Sequence, residues 1–416
     1  MQNQKKTILF LSDHPLSTSG VGTQARWLIT GLINTGKYSF KCFGGAIRHD
    51  NYDIVTVNPD FVIKPTNGFG DKALLRKTLA QVRPDALFLF TDPRFFIWTW
   101  EMEDEIHQIC PIVYWHLWDN PPWPEFNRPL YESNDLINCI NYPTYEMVKE
   151  RFPEKTGYIP HAVPKDLYHP LPKEDQLALK KKIIGENRAD HFTCLYVSRN
   201  ARRKMPSDIL ASWKMFVDEL ERTEGHRKAT LVMHTDPMDQ EGTNLHQVID
   251  ILSLKDNVVF SKDRIGFNEM NLLYNACDTI VNRSCNEGFG LPTLEMAMCG
   301  KPVIAIKTGG LTRQVEDPDS GEQVGIGLDP EVRTMVGNHM VPYIYEDFIS
   351  HETLRDAFIK MYKMGPESRE SLGRKAMERV QKEYDLSKVV SSWDESLEKT
   401  IKLWKNNPSR WRITEL

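Results

Sequence analysis

Two doubly wound α/β domains are predicted from three features of this 416-residue sequence. Short runs that are apolar throughout recur along the chain, as strands covered on both faces require. Segments with helical spacing separate those runs. One proline-rich stretch then divides the pattern into two halves, and the length is that of about two domains.

In the first half the strand-like runs are "TILFLS" (7–12), "ALFLFT" (86–91), "PIVYWH" (111–116) and "LINCIN" (136–141). In the second half they are "FTCLYVS" (192–198), "ATLVMH" (229–234), "NVVFS" (257–261), "TIVNRS" (279–284) and "PVIAI" (302–306). A helix is predicted over 207–222, where Ile209, Trp213, Phe216 and Leu220 share one face. Strand and helix alternate on both sides of 159–176, whose four prolines read as a linker. The expected layout is an N-terminal domain over 1–165 and a linker with the start of the second domain over 166–190. The C-terminal domain follows over 191–385, and a helical tail over 386–416 packs back on the first domain. In that tail Trp393, Leu397, Ile401 and Trp404 fall at helical spacing.

The net charge is −5 with dispersed basic residues, which argues against nucleic acid or an anionic bilayer as the main partner. No run of eighteen apolar residues occurs, so no helix is expected to span a membrane, although the amphipathic tail leaves peripheral contact open. "MQNQKK" leads straight into the first strand without a signal-peptide pattern. Seven cysteines are scattered without paired CxxC spacing, which predicts reduced thiols, no zinc site and a cytoplasmic location.

Ligands of open α/β sheets bind beyond the carboxyl ends of the strands. After the first strand, Ser17 to Gly22 form a small flexible turn into a helix, a place where backbone N–H groups meet an anion. It has neither GxGxxG nor GKS/T spacing. After 192–198 come Arg199, Arg202, Arg203 and Lys204, cations suited to clamping a diphosphate. After 279–284 comes "NEGFGLPTLE". Gly288 and Gly290 free the backbone there, Pro292 suits a first helical turn, and Glu295 lies one turn into the helix. Glu287 and Glu295 are natural acceptors for the diols of two rings, with a pyrophosphate between them on the amides of the turn.

"SCNEGFGLPTLEMAMCGKPVIA" (284–305) resembles the Glu-x7-Glu signature of the retaining glycosyltransferases with the GT-B fold, family 4 in particular. The likeness extends over most of the chain, through "SGVGTQARWLITGL", "RPDALFLF", "IVYWH", "IPHAV", "SRNARRK" and "TGGLTRQVED". It implies two Rossmann-like domains facing a central cleft. The implied function is transfer of a sugar from a nucleotide-sugar co-substrate to an acceptor hydroxyl, a hexosyltransferase-type reaction that retains anomeric configuration. Arg199 and Lys204 would bind the diphosphate, Glu295 the ribose and Glu287 the donor sugar. Gly288, Phe289, Gly290 and Leu291 would lie against the pyrophosphate and sugar, and Gly20 would close in from the N-terminal domain. His116 and Glu287 would stand at the transferred sugar. The resemblance further implies that no cofactor and no metal is required, with which the lack of a suitably placed DxD motif agrees.

Three departures stand out. Ser19-Gly20 replaces the family's Gly-Gly, and "HTDPMDQ" follows the strand at 230–233 where a glycine-rich turn is usual. The segment 329–347 has no counterpart; its Tyr343 and Tyr345 are expected in the core, with an acceptor wall or an oligomer surface as the alternatives. Trp98, Trp100, Trp115, Trp118 and Trp123 crowd a 26-residue window, too many for one small core to bury comfortably. Trp115 and Trp118 are therefore candidates to stack on a ring at the acceptor side, against the alternative that most of the five are core or a subunit interface, and Asp119 is a candidate to orient an acceptor hydroxyl. The acceptor itself (a glycan, a lipid-linked saccharide, a small molecule or a modified base) is open. Alternatives from other classes are a nucleotide-sugar epimerase of the same fold and a non-catalytic nucleotide-sugar-binding module.

Overall fold

The apolar run at 7–12 is the centre of a first sheet. In the computed structural model, which describes residues 5–261 and 265–406, it forms β1 (Lys6–Asp13), with β2 (Tyr38–Gly45) and β5 (Ala86–Thr91) paired on either side. The other strands are β3 (Val55–Asn58), β4 (Phe61–Pro65), β6 (Ile112–His116), β7 (Leu136–Cys139) and β8 (Thr156–Tyr158). The order is β3-β4-β2-β1-β5-β6-β7-β8, and every pair is parallel except β3 with β4. β1 and β5 bury nearly every side chain, which explains why their sequences are apolar rather than alternating.

A second sheet is built the same way from β9 (Phe192–Val197), β10 (Ala229–His234), β11 (Val258–Phe260), β12 (Thr279–Asn282), β13 (Val303–Ile306) and β14 (Ile326–Leu328). Its order is β11-β10-β9-β12-β13-β14, all parallel. The helix Pro206–Glu224 lays Ile209, Trp213, Phe216 and Leu220 on its buried face. Two further strands, β15 (Val332–Val336) and β16 (Ile344–Phe348), make a separate two-stranded ribbon.

The described residues divide into two units, each a Rossmann-like α/β domain. The first runs to Ala162 and adds Gly337–Ile344 and the segment from Leu386; the second takes Val163–Val336 and Tyr345–Asp385. The helix Leu386–Asn406 belongs to the first unit. Its Trp393 ring lies 4.6 Å from Phe88 and 5.6 Å from Trp115, and Tyr38 donates to Asp394 at 2.8 Å. Residues 407–416 of the expected tail lie outside the described residues.

Tyr343 and Tyr345 correct one expectation, since both are only half-buried. A two-stranded ribbon has no second layer to enclose its side chains. The Tyr343 hydroxyl donates to the Trp123 carbonyl (3.1 Å), accepts from the Glu125 N–H (3.0 Å), and its ring meets Phe126 edge-on. The Arg333 guanidinium covers the Tyr345 ring.

Candidate functional site

The Gly-Phe-Gly turn lies just beyond β12 and is held from three sides within the second unit. Gly290 takes a left-handed conformation (φ +86°) that lets the chain enter the helix Leu291–Met298, with Pro292 in its first turn. Gly310 donates its N–H to the Glu287 carbonyl at 3.0 Å. A Cβ on Gly310 would lie 2.4 Å from the Phe289 Cα, so only glycine permits this approach. Gln314 donates to the Phe289 carbonyl at 2.6 Å and is bonded through its other amide atom to Thr293. From the β9 side, the Cys285 N–H donates to the Arg203 carbonyl (2.9 Å), and Arg203 donates to the Asn286 carbonyl (3.0 Å).

Glu287 stands at this junction with its carboxylate ion-paired to Lys204, and both side chains are almost wholly buried. Ser284 adds a hydroxyl at 3.3 Å. Burial by itself would push the Glu287 pKa up. Lys204, then Arg203 and a bond from Asn282, outweigh that and bring it down to about 2. Glu287 is therefore a carboxylate at any physiological pH.

Glu295, eight residues on, has a different shell. It is 7% exposed, accepts from the Tyr274 hydroxyl at 2.5 Å, and no cation offsets its burial. Desolvation raises its pKa to about 7, with bonds from Tyr274 and Tyr168 opposing the rise. The two tyrosine rings meet edge-on at 5.9 Å and wall that side of the helix.

The expected Arg199 and Lys204 pair is divided. Lys204 lies on Glu287, whereas Arg199 is 60% exposed and binds Asp239 through two bonds of 2.7 and 3.1 Å. Arg202 binds Glu346 (3.0 Å). Gly288, Phe289 and Gly290 are buried and Leu291 is half-buried, all continuous with the Glu287 junction.

In the first unit, Gly20 is exposed at the start of the helix Gly20–Asn34. Ser19 caps that helix by accepting from the Gly22 N–H, and it donates to Asp13 at 2.7 Å. Asp13, which the sequence reading did not single out, is buried at the end of β1 with Thr91 on its other oxygen (3.3 Å). Burial raises its pKa against the bonds from Ser19 and Thr91. His116 ends β6 wholly buried, bonded through Nε2 to the Tyr131 hydroxyl (2.9 Å). Desolvation holds it neutral, with a pKa pushed down to about 3. Trp115 is wholly buried and stacked on Phe90, and Trp118 is 3% exposed. Neither indole offers a face to a ligand in this structure, because the core of the first unit absorbs both; Trp98, Trp100 and Trp123 pack partly buried against that core. Asp119 is half-buried.

Two Rossmann-like sheets, with paired acids around a glycine turn in the second, define a protein built on the GT-B plan. Comparison with known proteins narrows this further. Residues 180–379 match the model of the glycosyl transferases group 1. A D-inositol 3-phosphate glycosyltransferase of Stackebrandtia nassauensis is 44% identical over 77 residues, 18% of this chain. The chain spans only 17% of that relative's length in the match. Sucrose-phosphate synthase from Thermosynechococcus elongatus shares the fold over 96% of this chain and 100% of its own, with a TM-score of 0.72 at 17% identity. Anabaena HepE, solved with UDP and glucose, does so over 95% and 100%, with a TM-score of 0.68 at 18% identity. No helix among the described residues is long and apolar enough to cross a membrane.

Proposed function

We propose that this protein is a retaining glycosyltransferase that moves a sugar from a nucleotide-sugar donor to an acceptor hydroxyl. The observation that carries the reading is the buried Lys204–Glu287 pair against the Gly-Phe-Gly turn, inside the region that matches the group 1 glycosyltransferases. Lys204 neutralises the leaving diphosphate, with Arg199 released from Asp239 to join it. Glu287, kept ionised, faces the donor sugar, and Glu295 accepts from the ribose hydroxyls. Positive charge and backbone amides fixed in place before reaction stabilise the departing diphosphate, so no metal is needed. His116, neutral and buried, orients the acceptor side of the first unit.

HepE with UDP and glucose makes UDP the first nucleotide to try. A thermal-shift screen of UDP, GDP, ADP, CMP and dTDP against the wild type and Glu295→Ala tests the donor site. One nucleotide is expected to raise the melting temperature, with the shift lost in the variant. Turnover of the matching sugar nucleotide in EDTA then releases nucleoside diphosphate with the anomeric configuration kept. An isomerised sugar nucleotide would assign an epimerase, and binding without turnover a non-catalytic module.

A further inference from the structure

At the amino ends of β7 and β8, the sheet edge opposite to the one that carries His116, a cleft of about 380 Å³ opens against the helix Leu386–Asn406. That volume lies within the range of small-molecule sites, roughly 300–1,000 Å³. Its floor is the paired residues Asn138 and Gly157, side by side on one face of the sheet. A Cβ on Gly157 would lie 2.2 Å from the Asn138 Oδ1, so only glycine leaves room for the amide in this position. Asn138 is 2% exposed, and its Nδ2 has no hydrogen-bond partner among the described residues. An unanswered buried amide donor costs about 1–3 kcal/mol, and a small turn of the Asn138 side chain would bring it to a ligand hydroxyl.

The walls fix the ligand's class. Thr156, Ser396 and Thr400 contribute hydroxyls, and Trp404 contributes a half-buried indole. Two carboxylates, Asp135 and Glu154, are offset by two ammonium groups, Lys155 and Lys399. Two of these four are already committed. Asp135 accepts from the Ile112 N–H (2.8 Å) and contacts His107, and Lys155 donates to the carbonyls of Glu132 and Asn134. Without excess charge the cleft does not select a phosphate or a carboxylate. An amide, several hydroxyls and an aromatic face suit a neutral polyol ring, which stacks its C–H face on indole and pairs its hydroxyls with amides.

We propose that this cleft is a second saccharide site, which holds part of a glycan away from the reacting hydroxyl. Sugar binding in the cleft does not depend on the donor reading, whereas the role given to the bound glycan rests on it. The test is saturation-transfer NMR and tryptophan-fluorescence titration of the full chain with glucose, mannose, galactose, maltose and cellobiose. Trp404→Ala and Asn138→Leu serve as variants, and the UDP thermal shift is run in parallel as an internal control. At least one sugar is expected to bind with a millimolar dissociation constant, weakened tenfold or more in both variants. The UDP shift should stay unchanged in Trp404→Ala, which removes only a half-buried indole from the cleft wall. No transfer to any of the five sugars, equal binding in wild type and both variants, or displacement of the sugar by millimolar inorganic phosphate would each overturn the proposal. No shift from any of the five nucleotides, with sugar binding intact, would instead sink the donor reading alone.

Discussion

Glu287 and Glu295 lie eight residues apart, are both buried, and are driven in opposite directions by what surrounds them. Glu287 is surrounded by Lys204, Arg203 and the polar Ser284 and Asn282, and its pKa falls to about 2. Glu295 is walled by two tyrosines without a cation, and its pKa rises to about 7. Identical chemistry is thus divided into a fixed charge and a group poised to gain or lose one. Burial pushes both carboxyls up, and only beside Glu287 do cations reverse the sign.

The largest expected effect comes from breaking the fixed charge. Lys204→Met strands a buried carboxylate, a loss of about 3–5 kcal/mol for such pairs. Arg203 still faces Glu287, so the lower end is expected in urea unfolding at pH 7. The double variant Lys204→Met with Glu287→Leu should recover most of that stability. If the single and double variants are equally destabilised, the pair does not hold the turn.

Opposite shifts predict opposite pH slopes. For Glu287 the native pKa lies below the unfolded one, so its contribution of about 3 kcal/mol is present above pH 4.5 and lost as pH falls towards 2. For Glu295 the native pKa lies above the unfolded value, so the native state binds more protons between pH 4.5 and about 7. Stability therefore declines as pH rises through that window. Glu295→Gln removes that decline, and relative to wild type it should gain up to about 3 kcal/mol between pH 4.5 and 8. Paired unfolding curves at those two pH values check it, and a constant difference would refute the assigned environment.

The fold was largely legible in the sequence. The strands β1, β5, β6 and β9, buried along most or all of their length, appear there as largely apolar runs. β2 and β4 were not, because "YSFKCFGG" mixes lysine and glycine into a strand and Phe61–Pro65 ends in proline. Within the site, the glycine turn and its two acids are contiguous in sequence, so the motif exposes them. Their modifiers are not contiguous. Tyr168 lies 127 residues before Glu295 and, like Tyr274, looks like any core aromatic; Gly310 gives no sign of pressing on Phe289 until the sheet is assembled. The tryptophan cluster misleads for a related reason: five indoles looked like a surplus, yet an eight-stranded sheet with a helix across it buries Trp115 and Trp118 outright.

Gly310→Ala probes whether the geometry of the turn matters beyond its charges. The added methyl meets the Phe289 backbone at 2.4 Å, closer than backbone atoms allow, so the turn must shift. Overpacking of this kind costs about 1–3 kcal/mol. Donor affinity should fall tenfold or more while the pH dependence of Glu295 stays as in wild type. Unchanged nucleotide affinity by calorimetry would remove the turn from the donor site.

The smallest effect on stability, and the sharpest on function, is expected at Arg199. Its pairing with Asp239 is at the surface, where such bridges contribute about 0–1 kcal/mol, so Arg199→Ala should unfold at nearly the wild-type urea midpoint. If Arg199 leaves Asp239 to clamp the diphosphate, the same variant should bind UDP-glucose about tenfold more weakly, one charge-assisted contact's worth. Asp239→Asn should have the opposite sign, since it frees the guanidinium in advance and strengthens binding. UDP-glucose is the better ligand here because its pyrophosphate has no proton to lose near neutral pH, so any pH dependence of binding belongs to the protein. Equal affinity in wild type, Arg199→Ala and Asp239→Asn would leave Lys204 as the cation that meets the donor, and would confine the fixed-charge half of the comparison to the buried pair.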